Sequence, residues 1–311
     1  MKILIAGASG YIGSDLVRAL DEEGHEVLRL VRRPATAGDE VEWHPDDGLI
    51  PGGVMDEVDA VVNLSGASLG RLPWTPGYKR EIASSRIRAT HTLTDAMRTA
   101  TSPPSVFLSG SAVGYYGDRP GEKLTEDSPA GSGFLSDVVV AWEKAADRAP
   151  DGVRVVKLRT GLVVGKGGVL SIVELQARLG LAGPLGSGQQ HWPWITLPDE
   201  VAAIRHLLSS RVDGPVNLVA PTPTTAERIM RAFTDELRRP YLIPAPKAIV
   251  SLALQDARDL LLADTDVAPE RLLADGFTFR HPTPEEAIDW MLSGRRRPRR
   301  PADGVVRHAR D

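Results

Sequence analysis

A glycine-rich turn near the beginning of the chain has the spacing of a phosphate-binding loop. The letters GASGYIG, residues 7–13, follow a short apolar run and precede a stretch with helical spacing. The first glycine allows a sharp turn, the second lets the backbone approach a pyrophosphate, and the third allows close packing of helix on strand. The helix N-terminus would add unpaired N–H groups and a partial positive charge. The predicted dinucleotide contacts are Gly7, Ser9, Gly10, Tyr11, Ile12 and Gly13.

Two arginines after the second apolar run indicate which dinucleotide would bind. The run at 27–31 ends directly before Arg32 and Arg33, and no carboxylate follows them until Asp39. An acidic side chain at this place would hold the ribose 2′-hydroxyl of NAD, whereas an arginine accepts the 2′-phosphate of NADP. Two solvated surface arginines are the structural alternative. The position favours NADP as the cofactor, with NADPH preferred over NADH.

Strand-like and helix-like segments alternate through the first half of the chain. Short apolar runs predict strands, and apolar residues at helical spacing predict helices. The predicted strands cover 2–6, 27–31, 58–64, 105–109 and 153–159, and the predicted helices begin near residues 11, 79 and 134. This alternation is typical of a parallel sheet with crossover helices. The predicted fold class is therefore α/β, a doubly wound parallel sheet of the Rossmann type.

The pattern changes after Gly165, where glycines become frequent and helical segments dominate. We predict a Rossmann domain at 1–165, to which the helix and strand of 198–220 return. A smaller, mostly helical C-terminal domain at 166–294 would close over the carboxyl edge of the sheet. The last segment, 295–311, is rich in arginine and proline, and we expect it to be disordered.

The composition excludes several classes of protein. The chain has 311 residues, of which 42% are hydrophobic and 25% charged, as is ordinary for a folded globular protein. It contains no cysteine, which excludes disulfides, thiolate metal sites and thiol nucleophiles. The net charge of −4 argues against nucleic acid as a partner, and neither a signal-peptide pattern nor a membrane-spanning apolar stretch is present. We expect a cytoplasmic protein, and the sequence does not define its oligomeric state.

A series of short motifs resembles one branch of the extended short-chain dehydrogenase/reductases. After the glycine turn come NLSGA at 63–67, SGSAVGYYG at 109–117, LRTG at 158–161 and GPLGSG at 183–188. Their order resembles that of an atypical, epimerase-like branch, the NAD-dependent epimerase/dehydratase family proteins with a C-terminal helical domain of unknown function. The resemblance covers residues 1 to about 293 and implies a Rossmann fold that binds NADP(H). It implies further cofactor contacts at Leu64, Ser65 and Gly66, and no known substrate.

The acid–base pair of active short-chain dehydrogenases is absent from this chain. In active relatives, a tyrosine transfers the substrate proton and a lysine four residues later lowers its pKa. The two stand eight and four residues before the glutamate that is Glu143 here, so counting back gives Leu135 and Val139. Neither side chain carries a proton. Where ordinary members have an asparagine, this chain has Arg86.

Three polar residues after the fourth predicted strand remain as catalytic candidates. Ser111 matches the serine that orients a carbonyl in active members, and Tyr115 and Tyr116 follow it. A tyrosine with a pKa of about 10 is a poor base unless a cation lies close, and Arg86 or Arg159 would be that cation if the fold brings either near. Packing of both tyrosines in a loop is the alternative. We select Ser111 and Tyr116 as the candidate catalytic residues.

Other polar residues are weaker candidates. His191 stands among aromatic residues and would either face a nicotinamide ring or pack in a surface loop. The histidines show no metal-binding spacing, so we predict no metal site. We expect Glu122, Glu126 and Asp127 to be solvated loop charges, and Trp74 to be a packing anchor.

Two functional hypotheses stay open. The first is an NADP(H)-dependent oxidoreductase or epimerase that acts on a small carbonyl or sugar-like substrate without the usual Tyr-x-x-x-Lys pair. The second is an NADP(H)-binding sensor or partner-binding protein without turnover, for which a label carried by some relatives suggests a link to cell division. Leu135 and Val139 favour the second hypothesis, whereas Ser111 and the glycine-lined second domain favour the first. We take the first as the working prediction.

Overall fold

The computed structural model describes residues 1–293 except for residues 169, 249 and 251–254, so the segment 295–311, for which we predict disorder, lies outside the described residues. The strands are β1 (Lys2–Ala6), β2 (Glu26–Val31), β3 (Glu40–Glu42), β4 (Ala60–Asn63), β5 (Val106–Ala112), β6 (Lys123–Leu124), β7 (Arg154–Thr160), β8 (Leu162–Val164), β9 (Trp194–Thr196), β10 (Gly214–Leu218) and β11 (Asp266–Val267). The helices are α1 (Tyr11–Glu22), α2 (Pro76–Thr99), α3 (Phe134–Ala146), α4 (Leu170–Arg178), α5 (Leu197–Ser209), α6 (Ala226–Leu237), α7 (Asp259–Leu262), α8 (Glu270–Ala274) and α9 (Pro284–Ser293).

Seven parallel strands form the central sheet, in the order β10-β7-β5-β4-β1-β2-β3. The chain order reverses between β1 and β4, which pair in parallel. In doubly wound sheets, ligands bind at such a reversal, outside the carboxyl ends of the strands. β1 is a run of apolar residues because, as a central parallel strand, it is covered on both faces, and Ile3, Leu4 and Ile5 are fully buried. The predicted α/β fold of the Rossmann type is confirmed.

The edge strand β3 has no counterpart among the predicted strands. It contains three residues and pairs with β2 so that Arg29 lies opposite Glu40. A run of this length carries too little periodicity to be recognised. Its pairing brings Glu40 beside the end of β2, where the two candidate arginines stand.

Helices cover both faces of the sheet. On one face, Leu16 of α1 and Ile204 of α5 belong to the same buried cluster as Ile5 of β1. On the other face, Leu93 of α2 packs in a cluster with Leu4 of β1. Although α5 and β10 come late in the chain, α5 packs in the core of the sheet and β10 pairs with β7.

The C-terminal region has a core of its own. Buried residues of α4, α6 and α9, among them Phe233 and Ile288, cluster with Trp192 and Trp194. The segment Asp259–Thr265 of this region faces the loop after β5 across a cleft. Among the described helices, none is both long and apolar enough to cross a membrane.

Candidate functional site

The turn between β1 and α1 requires glycine at two places because of space. Gly7 has a φ of 85°, and a Cβ atom there would lie 2.7 Å from the carbonyl carbon of Leu64. A Cβ atom on Gly13 would overlap the carbonyl oxygen of Gly7. Glycine at both positions therefore lets α1 and the end of β4 approach the turn closely.

Gly10 is less crowded than these two glycines. Its φ of −75° and ψ of 176° suit any residue, and within the described chain only the carbonyl oxygen of Gly7, at 3.1 Å, lies close to an added Cβ atom. Gly10 is the N-cap of α1, and no described side chain caps this helix. The N–H groups of the first turn are thus available to an anion. Beside them, Ser9 is exposed and Ile12 packs against the sheet core.

Tyr11 joins the glycine turn to the segment that follows β8. A Cβ atom on Gly165 would overlap the Tyr11 hydroxyl oxygen, and one on Gly168 would lie 3.0 Å from it. This hydroxyl is buried and has no hydrogen-bond partner among the described residues. Burial raises the pKa of Tyr11 to about 12. Tyr11 is therefore a packing contact of the turn and is unsuited to acid–base chemistry.

The loop after β4 lies at the same edge of the sheet as the glycine turn. The Leu64 N–H donates to the carbonyl oxygen at the end of β1 at 2.8 Å. The Ser65 N–H donates to Asn63 Oδ1 at 3.1 Å. Gly66 lies against the side chain of Arg86, since an added Cβ atom would be 3.0 Å from the guanidinium carbon. The structure thus brings Leu64, Ser65 and Gly66 next to the turn.

Arg86 on α2 is a partly buried cation without an acidic partner in the described part of the chain. Its Nη1 donates to the carbonyl oxygen of Ile82 at 2.9 Å, and its guanidinium carbon lies 5.3 Å from the ring centroid of Trp142. Burial lowers the pKa of Arg86 to about 10, so it stays charged at neutral pH. No described carboxylate forms an ion pair with it. From the sequence, Arg86 was considered only as a cation for a tyrosine, but it lies beneath Gly66, at the edge where the dinucleotide is expected.

The two arginines after β2 have different surroundings. Arg33 donates to both carboxylate oxygens of Glu40, at 2.6 and 2.8 Å. These bonds, together with the Thr36 N–H, lower the pKa of Glu40 to about 2. Arg32 is exposed and forms neither a hydrogen bond nor an ion pair with any described residue. Arg32 is therefore free to meet a phosphate, whereas Arg33 is held by the carboxylate of Glu40.

Ser111 lies at the end of β5 in a buried chain of hydrogen bonds. Its hydroxyl donates to Glu143 Oε1 at 2.6 Å. Arg159 of β7 donates to both carboxylate oxygens of Glu143, at 2.8 and 2.9 Å. All three side chains are buried. Ser111 is thus at the carboxyl edge of the sheet, and its proton is directed to Glu143.

The two tyrosines after β5 are placed differently. Tyr116 is completely buried, and its hydroxyl donates to Asn217 Oδ1 at 2.7 Å and accepts from Arg159 Nη1 at 2.9 Å. Burial raises the pKa of Tyr116 to about 12. Tyr116 therefore supports Arg159, and this placement does not fit the prediction that it passes a proton to a substrate. The ring of Tyr115 covers Arg159, with 3.6 Å from ring centroid to guanidinium carbon, and its hydroxyl has no hydrogen-bond partner in the described part of the chain.

Leu135 and Val139 lie one turn apart on α3 and both face the loop after β5. A Cβ atom on Gly114 of that loop would lie 3.4 Å from Leu135 and 3.9 Å from Val139. Leu135 also lines a cleft of about 130 Å³ between this loop, the beginning of α3 and the segment Asp259–Thr265. The usual proton-transfer pair is therefore replaced by an apolar wall.

The weaker candidates have structural partners. The His191 N–H and Nδ1 both lie 2.8 Å from Asp264 Oδ1. Trp74 is buried, and its ring N–H donates to a backbone carbonyl at 3.2 Å. The expectation of a solvated charge is wrong for Glu126, which is buried and accepts the backbone N–H of Asn217 at 3.1 Å. Glu126 therefore ties β10 to the loop after β6, a long-range contact with no local signal in the sequence.

Comparison with known proteins agrees with the resemblance of the motifs. Residues 3–219 match the model of the NAD dependent epimerase/dehydratase family, and residues 245–291 match a domain of unknown function, DUF1731. The epimerase family protein Mb2239 of Mycobacterium bovis is 37% identical over 295 residues, which cover 94% of this chain and 97% of that protein. The epimerase family protein SDR39U1 of Bos taurus is 37% identical over 300 residues, which cover 94% of this chain and 100% of the relative.

A solved structure extends this similarity to three dimensions. The crystal structure of human epimerase family protein SDR39U1 (isoform 2) with NADPH matches with a TM-score of 0.86 and 33% identity. The match covers 94% of this chain and 99% of the human chain.

Proposed function

This chain belongs to the NAD-dependent epimerase/dehydratase family, and we propose that it binds NADP(H) and acts as an oxidoreductase or epimerase on a small carbonyl or sugar-like substrate. The turn at 7–13, the loop after β4 and Arg32 would hold the cofactor. When bound, NADP(H) would supply or accept a hydride. The human relative crystallised with NADPH supports this choice of cofactor.

One observation carries the proposal: the uncapped N-terminus of α1 opens onto the point where the strand order reverses. Gly10 carries no side chain and no described side chain caps the helix, so the N–H groups of the first turn can meet a pyrophosphate directly. Leu64 and Gly66 stand at the same edge. The backbone therefore offers a site for an anion where doubly wound folds bind dinucleotides.

The preference for NADP(H) is supported by the difference between the two arginines. Arg32 has no partner among the described residues, and a free guanidinium binds a phosphate strongly because its bonds are charge-assisted. Arg33 neutralises Glu40, a carboxylate that would otherwise repel a 2′-phosphate beside β2. Arg32 would thus bind the 2′-phosphate, and Arg33 would act by removing the repulsion.

For the chemical step, we assign Ser111 and Tyr115 to the substrate. The Ser111 proton is directed to Glu143, so its oxygen remains to accept a hydrogen bond from a substrate hydroxyl. Tyr115 replaces Tyr116 as the candidate for proton transfer, since its hydroxyl is unpartnered in the described chain and its ring lies on Arg159.

The experiment is a fluorescence titration of the full-length protein with NADPH and with NADH. Mass spectrometry of any nucleotide retained through purification provides an independent reading. We expect NADPH to bind at least about tenfold more tightly, which corresponds to ~1.4 kcal/mol. Equal affinities would overturn the preference for NADP, and failure to bind either nucleotide would overturn the proposal.

A second candidate function, NADP(H) binding without turnover, is favoured by the apolar wall of Leu135 and Val139. Placing Tyr at 135 and Lys at 139 restores the pair that ordinary family members use. Under the first proposal, Tyr115→Phe lowers turnover by about 10²–10⁴-fold once a substrate is found. Under the second, broad carbonyl and sugar-nucleotide screens show NADPH binding and no oxidation.

A further inference from the structure

The cleft beside Leu135 is small and largely apolar. Its apolar lining includes Leu135, Leu162 and Leu260, and its volume is about 130 Å³. Ligand pockets in proteins usually start at about 300 Å³. The space next to the expected catalytic region therefore suits a compact molecule of a few non-hydrogen atoms.

The polar groups of the cleft mostly accept hydrogen bonds. The hydroxyls of Ser136 and Thr265 donate to backbone carbonyls at 2.9 and 3.1 Å, which leaves their oxygens as acceptors. Asp118 accepts a backbone N–H through Oδ1 at 2.8 Å, and its carboxylate stands at the rim together with that of Asp259. Ser132 is the remaining hydroxyl of the described lining. Such a surface favours a ligand that donates hydrogen bonds.

No lysine, arginine or histidine belongs to the described lining of this cleft. Arg258 lies outside the lining and forms an ion pair of 3.5 Å with Asp259. An anionic ligand would therefore meet the carboxylate of Asp118, whereas Arg258 is already paired with Asp259.

We propose that this cleft takes a small, uncharged substrate with a hydroxyl group beside its carbonyl, and that it rejects carboxylates and nucleoside-diphosphate sugars. This inference rests on the proposed function, in which the cleft is the substrate site. A diphosphate needs several cationic donors when it is desolvated, and the cleft offers none among its described residues. A hydroxyl can donate to the oxygens of the lining, such as those of Ser136 and Thr265.

Two three-carbon ketones test the charge preference at constant size. Hydroxyacetone carries CH₂OH where pyruvate carries a carboxylate, and UDP-glucose represents the sugar nucleotides. Binding of each probe to the full chain is measured by saturation-transfer NMR, with and without NADP⁺. We expect hydroxyacetone to bind, and pyruvate and UDP-glucose to bind at least about tenfold more weakly.

Three variants distinguish an effect of charge on ligand binding from a loss of folding. Leu135→Arg adds a cation to the cleft and should make pyruvate the better ligand. Asp118→Asn keeps an acceptor oxygen for the backbone N–H and should raise pyruvate affinity about threefold, within the range of a screened surface charge. Asp151→Asn makes the same change in an exposed turn after α3 and should leave both affinities unchanged. If Leu135→Arg does not fold, the comparison of Asp118→Asn with Asp151→Asn still tests the proposal.

The proposal is overturned if pyruvate or UDP-glucose binds as tightly as hydroxyacetone, if hydroxyacetone does not bind, or if Asp118→Asn and Asp151→Asn behave alike. NADPH titration of the same samples reports on the proposed function separately. A protein that binds NADPH but prefers UDP-glucose would retain the proposed function and lose the inference about the cleft.

Discussion

Two regions at the carboxyl edge of the sheet differ in what their polar groups already bind. The candidate cofactor region, made of the turn at 7–13, the loop after β4 and Arg32, leaves helix N–H groups and one guanidinium available. In the candidate catalytic region, the buried cluster of Ser111 with Glu143, Arg159 and the supporting Tyr116, each polar side chain is bonded to another. The first region is arranged for an external ligand, and the second is bonded internally.

This difference separates the expected effects of mutation. Substitution of Arg32 in the cofactor region should lower nucleotide affinity with little change in the free energy of unfolding, because its guanidinium has no partner among the described residues. Substitutions in the catalytic region should lower stability, because they leave a buried polar group unpaired.

The largest effect is expected for Arg159→Leu. This change leaves the buried Glu143 carboxylate without its cation, which typically costs about 3–5 kcal/mol. Urea unfolding of the variant should show a lower midpoint. The matched control is Arg148→Leu, which removes the exposed ion pair with Asp95 and should cost less than about 1 kcal/mol. Equal losses in the two variants would refute the view that the catalytic region is held by its internal pairs.

Gly10→Val is expected to abolish cofactor binding at a smaller cost in stability than a substitution of Gly13. The backbone conformation of Gly10 suits valine, and the one described atom close to an added Cβ atom is the carbonyl oxygen of Gly7, at 3.1 Å. We expect a loss of at least about 100-fold in NADPH affinity, or ~2.7 kcal/mol, with only a small decrease in melting temperature. Gly52→Val, in open space without a positive φ, serves as the control.

Gly13→Ala tests the same comparison with a substitution that should also disturb packing. Its methyl group would overlap the carbonyl oxygen of Gly7, so this variant should lose stability as well as affinity. If Gly10→Val has as low a melting temperature as Gly13→Ala, both glycines are required for packing, and the distinction between the two positions is wrong.

Arg32→Ala should change the choice between nucleotides. Loss of a charge-assisted bond to the 2′-phosphate typically costs about 1.5–3 kcal/mol, so NADPH affinity should fall roughly tenfold or more while NADH affinity stays constant. Arg33→Ala should lower NADPH affinity less than Arg32→Ala does, because Arg33 is already paired with Glu40. A larger loss of NADPH affinity in Arg33→Ala than in Arg32→Ala would reverse these roles, and the two titrations measure this.

Local patterns in the sequence were sufficient to predict the sheet and the glycine turn. β1, β2 and β7 are apolar runs whose bounds in the structure differ from the predicted ones by a residue or so, and the glycine spacing encodes the turn directly. The burial of Tyr116 was not predictable in this way, because its hydroxyl is bonded to Asn217, far along the chain. A local pattern cannot report such a partner.

The sequence did not predict the pairing of Arg33 with Glu40, for a related reason. Glu40 is seven residues away, but it reaches Arg33 only because the three-residue β3 pairs with β2. Likewise, the free and paired states of Arg32 and Arg33 depend on this edge strand and not on the identity of either residue. The cofactor contacts made by backbone were therefore easier to predict than those made by side chains.

The smallest effect is expected for Glu200. In the neighbouring catalytic region each polar side chain is hydrogen-bonded to another, whereas Glu200 has one carboxyl oxygen without a described partner. Glu200 is completely buried beside β7, where one carboxyl oxygen accepts from the Thr160 hydroxyl at 2.8 Å and the other has no partner among the described residues. Burial raises the pKa of Glu200 from 4.5 to about 8. The folded chain therefore holds a proton that the unfolded chain releases, so stability falls as pH rises through the window between these two values.

Glu200→Gln keeps the shape and stays neutral, and its free energy of unfolding should lack this decline. Between pH 6 and 7 the wild type should lose up to about 1.4 kcal/mol relative to the variant, measured by urea unfolding at each pH. Parallel pH profiles for the two proteins would show that Glu200 is already ionised in the folded state.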